Sequence, residues 1–307
     1  MARGNPIPPQ CRLDNQRQRP AEIVVVDDGS DDGSARLVER WADEFSAIEI
    51  PLIYMSQSNA GQSSARNRGL QAATQAQVLF CDQDDVLLPH HLEQLWAAMS
   101  ANPDLSWCST PFQTISASSE IQSTNSFAEQ GPLAPEAEVP AFLAHNLMML
   151  PSATLFRTEM VRAVGGFDPI FRGYEDDDLL TRLVATGARY QWCQIPTLQY
   201  RLHQVNSSAA PTYQASRMRF FRKWTAVLRA DYGGIGERQL SQRIFRDVFE
   251  DLVRAERNDA PEVSAGCVAA LREIRDHGSL SLRSRLIVWI ALHPFTLRTV
   301  LRLRRLI

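Results

Sequence analysis

Three carboxylates, Asp82, Asp84 and Asp85, follow directly on the apolar run Val78-Leu79-Phe80. Like charges packed this closely repel one another unless a cation or hydrogen-bond donors compensate, and a divalent ion does so well because hard cations prefer oxygen ligands. Asp84 and Asp82 are therefore candidate metal ligands, although an acid in such a turn could instead cap the helix expected after Pro89. A second cluster, Glu175-Asp176-Asp177-Asp178, precedes Leu179, Leu180, Leu183 and Val184 at helical spacing and so opens a helix. One acid suffices to cap a helix; four in succession repel, and the raised pKa that results makes a carboxylate a general base. Glu175 and Asp176 are the candidate catalytic pair, with Asp177 read as solvated. A third pair, Asp27-Asp28, leads into Gly29-Ser30.

The elements that must position these acids alternate. Ile23 to Val26 is a continuous β-branched run, the pattern of a strand covered on both faces. A helix over Ser34 to Phe45, a strand over Leu52 to Met55, a helix over Ser64 to Ala73 and a strand over Val78 to Phe80 follow. Such alternation implies an α/β sheet whose functional ends are the carboxyl ends of the strands, where Asp27-Asp28 and Asp82–Asp85 fall. His91 to Met99 reads as a helix, Leu105 to Ile115 as one strand-like segment, Ala153 to Phe156 as a short strand and Gly165 to Asp168 as a turn. Residues 116–138, rich in Ser, Glu and Pro, read as a long loop over the site, and residues 1–20, polar and aperiodic, as poorly ordered.

The 307 residues carry a net charge of −3, which gives no reason to expect nucleic acid as a global partner. Five widely spaced cysteines without a C-x-x-C pair exclude a disulfide framework and a zinc ribbon, and fit a reducing cytoplasm. No apolar stretch reaches the roughly 18 to 20 residues of a spanning helix. G-x-G-x-x-G is absent, as is a glycine-rich phosphate loop, which counts against a dehydrogenase and a nucleotidyltransferase. Asp27 to Ser34 lacks the ligand spacing of a calcium loop.

Six segments in order, Val25-Val26-Asp27-Asp28-Gly29-Ser30, Asn59-Ala60-Gly61 with Ala65-Arg66-Asn67-Arg68-Gly69, Asp82-Gln83-Asp84-Asp85, Gly165-Gly166-Phe167-Asp168, Tyr174 to Leu179 and Tyr200-Arg201-Leu202-His203, resemble the family 2 glycosyltransferases over residues 13 to 208. The resemblance implies a GT-A fold, a Rossmann-like mixed α/β sheet flanked by helices, over residues 21–208, with a helical extension over 209–307. It implies transfer, with inversion, of a hexosyl or N-acetylhexosaminyl group from a nucleotide-sugar, foremost a UDP-sugar, to a glycan or glycolipid acceptor in cell-envelope assembly. By position, it implies that Asp27, Asp28, Arg66, Asp82 and Asp84 bind the donor. Asp82, Asp84 and His203 would hold Mn2+ or Mg2+, and Asp176 beside Glu175 would be the base. His203 also reads as an ordinary structural histidine.

The family's first strand has no counterpart here, so the sequence reads as truncated at its N-terminus; a non-catalytic nucleotide-binding or scaffold protein is the alternative. Residues 213–229 and the stripe Ile244, Val248, Phe249, Leu252, Val253 predict helices. Residues 285–307, apolar and then arginine-rich, are a candidate for peripheral contact with the cytoplasmic membrane face, and a helix–helix interface would use the same residues.

Overall fold

Each acidic cluster stands where a regular element meets a loop. The computed structural model describes residues 13–124, 137–145, 149–202 and 211–292. The chain divides into two units, one taking residues up to 137 and 147–205, the other 138–146 and 206–307.

The first unit opens with β1 (Ile23–Asp27), α1 (Ser34–Ser46), β2 (Leu52–Ser56), α2 (Gln62–Ala72) and β3 (Gln77–Leu79). There follow β4 (Val86–Leu87), α3 (His91–Ala101), β5 (Leu105–Ser109), β6 (Phe112–Ile115) and β7 (Ile121–Thr124). The second unit borrows α4 (Val139–Ala144), after which the first resumes with β8 (Thr154–Arg157), α5 (Thr158–Ala163), α6 (Glu175–Ala185), β9 (Arg189–Trp192) and β10 (Leu198–Arg201). Three sheets result, β1-β2, β3-β8-β5-β9 and β4-β10-β6-β7. The β1/β2 and β5/β9 pairs are parallel and β8 runs antiparallel to both its neighbours, so the architecture is mixed α/β.

The core lies under β5, whose five residues are all buried. Trp107 stacks on Tyr190 of β9 with centroids 4.8 Å apart, and Leu95 and Met99 of α3 pack with Leu105, Cys108 and Leu155. An amphipathic α3 thus covers a strand that is apolar on both faces, the pattern expected of an inner strand.

Four expectations need correction. Ile23 to Asp27 forms a strand, but all five residues are only half-buried, because among the described residues β2 is the only strand paired with β1. The segment 105–115 is two strands in different sheets; the chain turns at Thr110-Pro111, where proline offers no ladder N–H. Residues 116–138 are not one loop: β7 pairs back on β6, leaving 116–120 as the turn of a hairpin, and 125–136 lie outside the described residues. The tract 1–20 is also not uniformly loose. Residues 1–12 lie outside the described residues, but Gln16 is buried, donates to the Leu88 carbonyl at 2.9 Å and accepts from the Leu92 N–H at 3.1 Å.

The second unit contains α7 (Pro211–Asp231), α8 (Glu237–Arg257), α9 (Pro261–His277) and α10 (Leu282–Ala291). Ile244, Val248 and Leu252 are fully buried, so the apolar stripe read in the sequence is the packing face of α8; Phe249 stacks on Phe245. At its centre Arg217 bonds Asp251 at 2.9 Å, and Gln214 reaches the same carboxylate at 2.8 Å, compensating a cation that is almost wholly buried. No helix among the described residues is long and apolar enough to cross a membrane.

Candidate active site

Asp82 and Glu175, 93 positions apart in sequence, meet on one guanidinium. Arg66 on α2 donates to Asp82 Oδ1 at 2.6 Å and to Glu175 Oε1 at 3.0 Å, with only 8% of its side chain exposed. Its guanidinium also lies 5.1 Å from the centre of the Phe167 ring. Burial alone would lower the Arg66 pKa; the Asp82, Glu175 and Asp176 charges outweigh it and raise the pKa above the ordinary arginine range. Arg66 is therefore an internal cation shared by both acidic clusters, not a surface helix arginine.

The cation is held by a rigid turn. Gly165 and Gly166 take positive φ, 83° and 70°, and a Cβ on Gly166 would drive into the Asn67 amide. Asn67 accepts from the Phe167 N–H at 2.8 Å and donates to the Phe167 carbonyl at 2.7 Å. From α6, Arg182 donates to the Val164 and Gly166 carbonyls and to Asp178. Asp178 is thus a buried structural partner. Phe80, leaving β3, meets Phe167 edge to face at 4.9 Å, which ties the exit of that strand to the same turn.

At the head of α6, Tyr174 is buried in the left-handed region with φ 65°, strain that a well-packed site retains. Glu175 Oε2 accepts from the Gly173 N–H at 3.0 Å, and Asp176 Oδ1 from the Asp177 N–H at 2.8 Å. Asp176 is half-buried and borders a small apolar cleft with Met149, Phe156, Phe167 and Leu179. Desolvation there, reinforced by the Glu175 and Asp177 charges, raises its pKa well above the usual carboxylate range. Asp177 is half-buried too, where full solvation was expected.

The Asp82–Asp85 turn is clamped from beneath. The Asp82 N–H donates to Ser152 Oγ at 2.9 Å, and Arg201 Nε donates to the Asp84 carbonyl at 3.1 Å. The same Arg201 reaches the β6–β7 turn through the Ser116 carbonyl at 3.2 Å and Ser119 Oγ at 2.9 Å. Asp85 is 1% exposed; burial, then the Asp82 and Asp84 charges, lifts its pKa to about 7. At the head of α3, His90 makes no side-chain cap and Gln16 serves the first turn. Tyr200 is pushed up to about 12 by burial and then by the charges of Asp85, Asp84, Asp82 and Asp176.

The first acidic pair does different work. Asp27 accepts from Tyr54 Oη at 2.7 Å and from the Ser30 N–H at 2.7 Å; these bonds outweigh its burial and hold its pKa below the usual carboxylate range. Asp28 accepts from Gln57 Nε2 and from the Ala60 and Gly61 N–H groups, all at 2.8 Å. Gly29, at φ 84° with Asn59 N 3.0 Å from where a Cβ would sit, lets the two loops approach. Asp28 thus fastens the end of β1 to the 57–61 loop, and Asp27 ties it to Tyr54 of β2. His203 lies outside the described residues.

Sequence reasoning missed Ser152, Arg201 as a clamp, Asn67 and Tyr200. Tyr200, Arg201 and Asn67 carried a signal, since all three lie in the six ordered segments; Ser152 carried none. Among the described residues, no three His, Cys, Asp or Glu side chains form a ready metal cluster. The Asp82 and Asp84 carboxylates are nevertheless the hard oxygen donors that Mg2+ or Mn2+ takes, one or two at a time, together with substrate phosphates.

Residues 11–165 match the family model Glycosyl transferase family 2. A cholesterol galactosyltransferase of Borreliella burgdorferi is 38% identical over 92 residues, 30% of this chain and 25% of that relative. The chain likewise spans less than two thirds of other curated relatives, 58% of EpsH from Bacillus subtilis. Among solved structures, S. aureus TarS 1-349 in complex with UDP-GlcNAc superposes with a TM-score of 0.62 at 18% identity, covering 98% of this chain and 83% of that one. The mannosyltransferase PcManGT of Pyrobaculum calidifontis, bound to GDP-Man and Mn2+, superposes with a TM-score of 0.53 at 18% identity, covering 94% and 78%. At these identities the likeness is one of fold, and that fold is GT-A.

Proposed function

Because the chain belongs to glycosyl transferase family 2, we propose that it transfers a sugar from a nucleoside-diphosphate sugar to an acceptor hydroxyl with inversion at the anomeric carbon. The observation that carries this reading is the convergence of Asp82 and Glu175 on Arg66, with Asp176, the residue after Glu175, lining a small cleft. Two solved neighbours that hold UDP-GlcNAc and GDP-Man with Mn2+ support a nucleotide-sugar donor. A relative that acts on cholesterol supports a glycolipid as readily as a glycan acceptor, and cell-envelope assembly is the setting that suits either.

Asp82 and Asp84 would hold a divalent ion, which when bound supplies Lewis-acid neutralisation of the departing diphosphate. Arg66 adds fixed positive charge beside Asp82 and orients the turn. Asp28, with Asp27 bracing it, shapes the base-binding end. Asp176 takes the proton from the attacking hydroxyl: burial and the neighbouring Glu175 and Asp177 charges raise its affinity for a proton, as a general base requires. Glu175, pinned by Arg66 and Gly173, holds the head of α6 so that Asp176 faces the acceptor.

Titration calorimetry with UDP, GDP and dTDP, in Mn2+ and then in EDTA, tests the reading on wild type and Asp84→Ala. Metal-dependent binding of one nucleotide, lost in Asp84→Ala, is expected. A folded chain that binds none of the three would overturn it.

A further inference from the structure

The last described helix turns three of its large apolar residues outward. Leu282 is 87% exposed, Leu286 59% and Trp289 56%, whereas Ser284, Val288 and Ala291 are buried. At about 100° per residue the three exposed side chains fall within an arc of about 60°. Arg285 stands on one flank of that stripe and Arg283 on the other, each within about 60° of its edge, and both are exposed. The orientation is set locally: Ser281 Oγ accepts from the Ser284 N–H at 3.1 Å and starts the helix, while its other face is taken up by packing. An outward Leu-Leu-Trp stripe between two arginines has the form of a helix lying in a bilayer interface, apolar side chains among the acyl chains and guanidinium groups at the phosphates.

Charge selects the partner. After Asp276 the chain contains no Asp or Glu and six arginines, in a protein whose net charge is −3. Helix α10 itself carries Arg283 and Arg285 and no acidic residue, a charge that anionic lipid headgroups match. We propose that α10 is a membrane-surface helix that seats Leu282, Leu286 and Trp289 in the interface of an anionic bilayer, with Arg283 and Arg285 on lipid phosphates. The inference rests on the second unit and is independent of the donor chemistry proposed above.

The test is co-sedimentation of the full chain with phosphatidylcholine vesicles, with and without phosphatidylglycerol, at low and high salt. Wild type is expected to partition onto the anionic vesicles, weakly onto the neutral ones, and less at high salt. Leu286→Glu with Trp289→Glu should lower the partition coefficient more than about tenfold, and Arg283→Gln with Arg285→Gln by about tenfold on anionic vesicles only. All four positions are exposed, so unchanged thermal melts separate loss of binding from loss of fold. No sedimentation of wild type, equal partition of the Glu variant, or a wild-type dimer in light scattering that the Glu variant dissolves would overturn the proposal.

Discussion

Arg66 shows how one residue can hold a site together. Two carboxylates are tolerable beside Asp176 because a buried guanidinium compensates them, and removing it would leave both uncompensated. Arg66→Met should therefore destabilise the protein by about 3 kcal/mol, read from urea unfolding at pH 7. Asp82→Asn should cost less than Glu175→Gln, because Asp82 is about a third exposed and solvent can take over part of the compensation. Asp176→Asn makes a different prediction: nucleotide binding is retained while turnover falls by about a hundredfold or more, measured as kcat against donor KM. A parallel loss of binding would assign Asp176 to donor recognition instead.

At the scale of elements, the catalytic turns depend on neighbours far away in sequence. Gly166 lies at positive φ against Asn67, so Gly166→Ala combines backbone strain with a clash and should cost about 2 kcal/mol in denaturant unfolding. Arg201 joins the Asp84 carbonyl to the β6–β7 turn. Arg201→Met should weaken metal-dependent nucleotide binding more than it lowers the melting temperature, since the aspartate turn loses its support while the sheet keeps its ladders. Arg201→Lys, which keeps the charge but loses the fork, should restore part of the binding. Equal losses of binding and stability in both variants would reduce Arg201 to a general structural role.

For the whole molecule, acid sensitivity follows from a histidine outside the site. His91 is fully buried, its Nδ1 2.7 Å from Thr197 Oγ1, and burial pushes its pKa down to about 4. The unfolded chain binds that proton near pH 6.5, so the folded state loses stability as pH falls from about 6.5 toward 4, by up to about 3 kcal/mol. His91→Gln should flatten this limb in unfolding experiments at pH 4.5 to 7.5. An unchanged acid limb in the variant would place the sensitivity in the carboxylates.

Local pattern alone determined the class of fold, the helices and strands from β1 to β3 together with α3, though not β4 between them, and the acidic turns, because alternation, helical spacing and motif order are written in neighbouring residues. The likeness of six ordered segments carried the family. Tertiary structure decided the rest. That Arg66 would pair with Asp82 and Glu175, that Ser152 and Arg201 would clamp the turn, and that Asp27 would bond Tyr54 and Asp28 the 57–61 loop depends on contacts between residues 16 to 117 positions apart for which no local period codes. The half-exposure of β1 has the same origin. Ile23 to Val26 is β-branched enough for a covered strand, but burial belongs to what packs beside an element, and pairing partners are chosen by the whole sheet.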